Sequence, residues 1–431
     1  MIIDGKRLIS NLVRLRKLTD TPGAGVTRFS YGEQDAKARQ FLVDRAREMG
    51  CTVRADRVGN LRIGLPSNRP GRPVILCGSH IDTVRNGGWL DGIYGVCSAL
   101  EVLETLAARD GNETAGGDDG LLNVDMVIFA EEEGSNFGST MTGSKFLTGK
   151  YGEEDLDRLT DDHGSAMRKY LERAGLGTEG GTDHQFLDPV PWDLSQAAAM
   201  LELHIEQGPV LDRAGIPIGI VDAIFGMRVL EVTLTGVGNH AGATPMDERF
   251  DAMTAAAECI LAAEATVAAD PEKRTVVTIG KIEALPNCSN VIPETVRFTM
   301  EVRNRDKGKI DGYTERIAHG FRQIAMDRGI SCQIRDHSSS EPLPLDEGIG
   351  EVIRQTAERA GIPYRVMDSG AVHDACMLAE AGVPTGMIFV PSIDGRSHVP
   401  QEDTKEEDLI RGAKLLLETV EQLRAHPPQR R

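Results

Sequence analysis

An imidazole and two carboxylates fall within one short stretch of this chain: His80, Asp82 and Asp91 in the run CGSHIDTVRNGGWLDG. His80 and Asp82 alternate, so an extended backbone would point both side chains to one side. Imidazole nitrogen and carboxylate oxygen are ligands for divalent cations, and a metal site is the economical reading. The plainer reading is a solvated turn with a surface histidine. Three more groups of the same type lie far along the chain: the Glu131-Glu132-Glu133-Gly134 run, His204 in HIEQG, and His398 in SHVPQED. Together His80, Asp91, Glu133, His204 and His398 offer five nitrogen and oxygen donors, one of them a carboxylate able to bridge. That set suits two transition-metal ions roughly 3.5–4 Å apart. Without thiolate it fits Zn, Mn, Co or Ni rather than an iron–sulfur or structural zinc site. Glu132 is placed to take a proton from water held by such ions, and Asp82 can hold the second nitrogen of His80. Each member alone has a plainer reading. A triple Glu is usually a solvated run, a lone His204 a structural histidine, and His373-Asp374 the start of a helix.

Such residues can act together only if the fold gathers them. Residues 73–77, 124–130, 197–203 and 387–390 are short apolar runs of the kind that form buried strands, and each candidate ligand sits at or just past the end of one. Amphipathic helices are expected over 4–18 and 33–49, with further helices over 95–106, 348–360, after His373 and over 405–424. Ser30-Tyr-Gly-Glu33 reads as a capping box for the second of these, and Gly50 as its stop. Residues 51–65 read as a strand pair about Val58-Gly-Asn60. Alternating strands and helices predict an α/β fold with a mixed, mostly parallel sheet covered on both faces, and open sheets of that kind hold ligands at their carboxyl edge. Residues 110–120 read as a polar loop, 151–190 as a charged, Gly-interrupted stretch with helical pieces, and the tail HPPQRR as frayed.

The pattern changes near Val221. Leu230, Val232 and Leu234 alternate with Glu231 and Thr233; a long Ala-rich helix, two strands, a helix and a strand follow. The order βαββαβ predicts a small ferredoxin-like α+β sheet with both helices on one face. The chain thus reads as a discontinuous catalytic domain, 1–220 and 334–431, with an inserted domain over 221–333. Its 431 residues are long for one core. A net charge of −18, from 66 acidic and 48 basic residues, argues against nucleic acid or an anionic membrane as partner. Seven cysteines without paired spacing suit a reducing cytoplasm rather than a disulfide framework. MIIDGKRLIS lacks a signal-peptide core, and no apolar run is long enough to span a bilayer.

The segments GSHIDTV, GGWLDGIYGV, FAEEEGSNFGS, LELHIEQGPVL, GNHAGATPMDER, NVIPETVRFTMEVRN, SGAVHDA and IFVPSIDGRSHVPQED together resemble the hydantoinase/carbamoylase branch of the dinuclear metallo-aminoacylase/carboxypeptidase superfamily. They run from residue 78 to 403 in the family's order. The resemblance implies that His80, Asp91, Glu133, His204 and His398 bind two divalent metals with Asp91 bridging. It implies that Glu132 is the general base and that the inserted domain serves dimerisation and substrate capture. Gln207, His240, Asn290, Arg303 and Gly370 match positions where relatives hold the substrate, with Asn290 and Arg303 gripping its carboxylate. His240 would also polarise the scissile carbonyl, and Arg303 falls on the polar face of its strand beside Arg297, Thr299 and Glu301. The implied activity is hydrolysis of the carbamoyl C–N bond of N-carbamoyl-L-amino acids, a linear amide rather than a peptide, by a homodimer. Allantoate or ureidoglycolate hydrolysis is the alternative. An aminoacylase or peptidase lies further off, as does a metal-dependent binding protein without catalysis. Val372 and Arg396 depart from the residues that many relatives carry beside the pocket, which bears on the substrate.

Overall fold

A computed structural model of the chain describes residues 3–110, 120–176 and 192–427. Nearly all of the expected polar loop, the end of the charged 151–190 stretch and the last four residues lie outside the described residues. The chain divides into two compact units, Met1–Asp222 with Leu345–Arg431, and Ala223–Pro344.

In the first unit the four strands Asn123–Phe129, Val74–His80, Ala197–Ile205 and Thr385–Val390 lie side by side and parallel. The hairpin Thr52–Ala55 with Leu61–Gly64 extends one edge antiparallel, as the Val58-Gly-Asn60 turn requires, and Ile218–Ile224 extends the other. Val74–His80, Ala197–Ile205 and Thr385–Val390 are buried at every position. A sheet buried on both faces has no polar face to offer, which is why these strands read as unbroken apolar runs. The helix Ile93–Asp110 is buried through Leu106 and packs with Gly5–Arg16 and Glu406–Ala425. These helices and the sheet share one continuous apolar core.

The helix Glu33–Glu48 starts differently from the expected capping box. Its N-cap is Gly32, with no side-chain cap bond. Ser30 instead gives its hydroxyl oxygen to the N–H of Glu131 at 2.8 Å, and Asp35 takes the N–H of Tyr31 at 2.9 Å. Ser30 is drawn to the far end of another strand, so it cannot also close the helix.

The second unit is a four-stranded antiparallel sheet in the order Ser331–Ser340, Gly226–Thr235, Thr295–Asn304, Val276–Leu285. The helices Ala252–Ala268 and Lys307–Asp327 pack on one face over Leu230, Val232, Leu234, Val296, Phe298, Met300 and Val302. The second unit runs on to Pro344, beyond the 333 expected from sequence, because Ser331–Ser340 is laid along Gly226–Thr235 nearly in full. Among the described residues, no helix is long and apolar enough to cross a membrane.

Candidate active site

The four parallel strands all deliver their carboxyl ends to the same edge. Val74–His80 leads by a crossover helix to Asn123–Phe129 on one side, while Ala197–Ile205 lies on its other side. Neighbours on both sides of one strand open a crevice where ligands bind in such sheets. His80 is the last residue of its strand, His204 lies next to the end of the adjacent strand, and Glu131 to Glu133 follow directly after Asn123–Phe129. Asp91 comes from the loop after His80, and His398 from the loop after Thr385–Val390.

The side chains converge on Asp91. Its Oδ1 lies 3.1 Å from His204 Nε2 and 3.6 Å from His80 Nε2. Its Oδ2 lies 3.1 Å from His398 Nε2, which in turn stands 3.5 Å from a Glu133 oxygen. Two donor triplets result, His80 with Asp91 and His204, and Asp91 with Glu133 and His398, each with its atoms within 4.8 Å of one another. Glu132 places an oxygen 3.8 Å from His80 Nε2.

The rings are oriented for ligation. His80 Nδ1 faces the main-chain oxygen of Asp82 at 3.1 Å, and His204 Nδ1 that of Ile205 at 2.9 Å. A carbonyl oxygen can only accept, so the neutral rings carry their proton on Nδ1 and turn the Nε2 lone pair inward. The N–H of Gly92 also approaches His204 Nε2, at 3.1 Å. Gly92 itself has φ +65°, and a Cβ there would overlap the His80 ring. Asp82 acts on His80 mainly through its backbone, since its carboxylate is 3.7 Å from Nδ1. The carboxylate is spent elsewhere: it accepts the N–H of Glu132 at 3.2 Å and of Glu133 at 3.1 Å. Glu131, Gln207 and His398 hold positive φ values of 55°, 58° and 59°. Left-handed backbone costs such residues about 1–3 kcal/mol each and persists where the surroundings enforce it.

The residues present fit a pair of cations. Asp82, Asp91, Glu132, Asp374 and Glu402 are all buried, and the ion pairs of Asp91 and Glu133 are with histidines. Glu133 Oε1 is buried without a hydrogen-bond partner, an orphaned anionic oxygen that a cation would satisfy. Burial, then the neighbouring acids, holds the carboxyls of Glu132 and Glu133 well above the usual range. Burial opposes the charge on His204, but the hydrogen bond and charge of Asp91 outweigh it and push the imidazole up to about 9. Without a cation, the Asp91 carboxylate favours a proton on that ring.

Two residues that sequence reasoning passed over, Ser397 and Glu402, join the site beside Gln207 and His373. Ser397 Oγ is 2.9 Å from Asp91 Oδ2, and Gln207 donates its side-chain N–H to the same oxygen at 2.8 Å. Glu402, buried, hydrogen-bonds the loops of both Asp91 and His398; within QED it reads as one more surface acid. His373 caps the helix Asp374–Glu380, and its ring packs edge-on to His204 with centroids 4.6 Å apart. Burial, then His204, holds it well below the usual imidazole range, so it is a neutral spacer. Gly370 is exposed in the turn after Tyr364–Ser369.

His240, Asn290 and Arg303 belong to the second unit. His240 and Asn290 sit together on a two-stranded ribbon, where Val291 pairs with His240 and Ala241 N–H donates to the Asn290 carbonyl at 3.0 Å. His240 Nδ1 accepts the N–H groups of Gly242 and Ala243, both at 3.1 Å. Arg303 forks onto Glu301, two residues back on the same face, at 2.6 and 3.1 Å.

The family model described as Peptidase family M20/M25/M40 matches residues 76–422. The chain is similar to the N-carbamoyl-L-amino acid amidohydrolase of Geobacillus stearothermophilus, 36% identical over 98% of this chain and 99% of that one. It is also similar to the allantoate amidohydrolase of Escherichia coli (strain K12), at 37% over 93% and 94%. Among solved structures, an amidase of the hydantoinase/carbamoylase family from Burkholderia multivorans superposes with a TM-score of 0.86 at 34% identity, covering 99% of each chain. With two donor triplets at the carboxyl edge of its parallel strands, this chain belongs to peptidase family M20/M25/M40, in the hydantoinase/carbamoylase branch.

Proposed function

We propose that the protein is a metal-dependent amidohydrolase that cleaves the ureido C–N bond of N-carbamoyl-L-amino acids or closely similar N-carbamoyl acids. The observation that carries this reading is the pair of donor triplets sharing Asp91, with the carboxyl of Glu132 beside them. Two divalent cations, Zn, Mn, Co or Ni, held by His80, Asp91, Glu133, His204 and His398 would polarise the ureido carbonyl and acidify the attacking water. Glu132 takes the proton of that water as it adds to the carbonyl carbon, and returns it to the leaving nitrogen as the C–N bond breaks. The products are the amino acid and carbamic acid, which falls apart to ammonia and carbon dioxide.

The remaining residues supply recognition. With its N–H committed to Asp91, Gln207 leaves its buried Oε1 without a partner, an acceptor suited to a ureido N–H. Because His240 Nδ1 already accepts two backbone N–H groups, the neutral ring carries its proton on Nε2. It can only donate there, which suits the oxyanion of the tetrahedral intermediate. Arg303 and Asn290 grip the substrate carboxylate, the guanidinium held on its strand by Glu301, and Gly370 lends backbone. The second unit serves substrate capture and dimerisation. Its edge strand Val276–Leu285 leaves Val276, Ile282 and Leu285 about 40–50% exposed, and such an edge suits pairing with a second copy. The seven free thiols support the cytoplasm as its compartment.

The similarity to an allantoate amidohydrolase at 37% identity and to the ureidoglycolate hydrolase of Arabidopsis thaliana at 32% favours allantoate or ureidoglycolate as the second reading. Ammonia release from a panel of N-carbamoyl-L-amino acids, allantoate and ureidoglycolate, with metal-reloaded protein, separates the two. Highest kcat/KM on an N-carbamoyl-L-amino acid supports the first reading. Highest kcat/KM on allantoate or ureidoglycolate replaces it with the second.

A further inference from the structure

Asp91 and His398 must meet at one cation position, yet both come from loops, and the backbone segments that carry them are some three hundred positions apart. His80 and His204 differ, because each is fixed within a strand of the central ladder. One side chain spans the two loops. Glu402, 2% exposed, accepts on Oε1 the N–H of Leu90 at 2.9 Å and of Asp91 at 3.0 Å. Its Oε2 is 2.9 Å from the Ser397 hydroxyl and accepts the N–H of His398 at 3.3 Å. Every lone-pair direction of this carboxylate is used to hold backbone or hydroxyl groups of the two loops. Gly88 supplies a second, independent sign that the carboxylate belongs there, because a Cβ on Gly88 would overlap the Glu402 carboxyl group. His398 also holds a φ of 59°, a conformation that an imidazole residue keeps only where its surroundings enforce it.

On the two-cation reading above, we propose that Glu402 is a positioning residue that registers Asp91 against His398 and so completes the second cation position. Glu402→Gln keeps the shape but replaces one acceptor oxygen by an amide donor, so either the Leu90 and Asp91 N–H groups or the His398 N–H loses its partner. Groups that orient metal ligands in this way are worth about 10–100-fold in metal affinity. The step at Asp91, Glu133 and His398 should lose that much, while the step at His80, Asp91 and His204 changes little. Gly88→Ala, which displaces the carboxylate without altering it, should give the same pattern.

The test is calorimetric titration of metal-free protein with Mn²⁺ or Zn²⁺, with bound metal counted after desalting and the fold followed by thermal midpoint. Wild type should take two equivalents; Glu402→Gln and Gly88→Ala should each keep one and bind the second about 10–100-fold more weakly. In a His398→Ala background, adding Glu402→Gln should have almost no further effect on the remaining step. Unchanged second binding in both variants overturns the proposal. So does an equal loss of both steps with a lowered thermal midpoint, which would make Glu402 a general structural acid. A single equivalent in the wild type would instead remove the two-cation reading itself, and that result appears before any variant is made.

Discussion

Asp82 Oδ1 accepts the main-chain N–H of Glu132 at 3.2 Å. The other oxygen takes the N–H of the next residue, Glu133, at 3.1 Å. A buried carboxylate two residues after His80 therefore sets the backbone that carries Glu132 and Glu133. Asp82→Asn leaves one of these N–H groups facing an amide N–H. It should lower metal affinity about 10–100-fold with little change in the thermal midpoint of the metal-free protein. Titration of the metal-free variant measures this. Metal affinity equal to wild type would show that the strand ends hold Glu132 and Glu133 without Asp82.

Adjacent residues in one run should separate by function. Glu132→Gln removes only the proton acceptor, so metal content and substrate binding should persist while kcat falls about 10²–10⁴-fold, or further because the same group protonates the leaving nitrogen. Glu133→Gln should lower metal content at its own triplet. Kinetics alongside metal analysis distinguishes them; near-normal turnover in Glu132→Gln would assign the base elsewhere.

How far the chemistry could be read before folding depends on where each residue sits. His80, Glu133 and His204 were legible because each terminates an apolar strand, and strand ends of an open parallel sheet share an edge. Asp91 and His398 were legible only as members of a set, since a loop residue carries no periodicity. Glu402 and Ser397 were not found, because their role lies in hydrogen bonds across more than three hundred positions, which no local pattern records. Ser30 was misread for the same reason: its local motif is a capping box, and a long-range partner, Glu131, won its hydroxyl. In the second unit, alternation revealed the strands and faces, while the full length of Ser331–Ser340 was hidden by its polar run after Asp336.

Protonation of the metal-free site gives a pH signature. His204 is raised from 6.5 to about 9, so in the metal-free protein its charge contributes stability that is fully present below about pH 6.5 and lost as pH rises through 9. Glu132 and Glu133, raised by burial and their acidic neighbours, act in the same direction, since each must ionise in an uncompensated site. The thermal midpoint of metal-free protein should therefore fall between pH 6.5 and 9. Cation binding displaces these protons, so the gap between loaded and metal-free midpoints should widen over the same range. Thermal scans across that range check it; a gap that narrows with rising pH would contradict this assignment of protons.

Arg303 should act on the substrate carboxylate rather than on the metals. Arg303→Ala is expected to raise KM for N-carbamoyl acids at least tenfold, as loss of a charge-assisted pair worth about 1.5–3 kcal/mol implies, with metal content unchanged. An equal rise for a neutral ureido compound lacking the carboxylate would make Arg303 a structural partner of Glu301.

If two cations sharing Asp91 enable Glu132 to drive hydrolysis of an N-carbamoyl acid, turnover depends on both. Ammonia release from the preferred N-carbamoyl-L-amino acid, followed as divalent cation is added in measured equivalents to chelated protein, tests it most directly. Almost no ammonia should appear without cation, and the rate should rise to its maximum at two equivalents per chain. Full release in excess chelator with no bound metal, or a maximum reached at one equivalent, would rule out a two-cation mechanism.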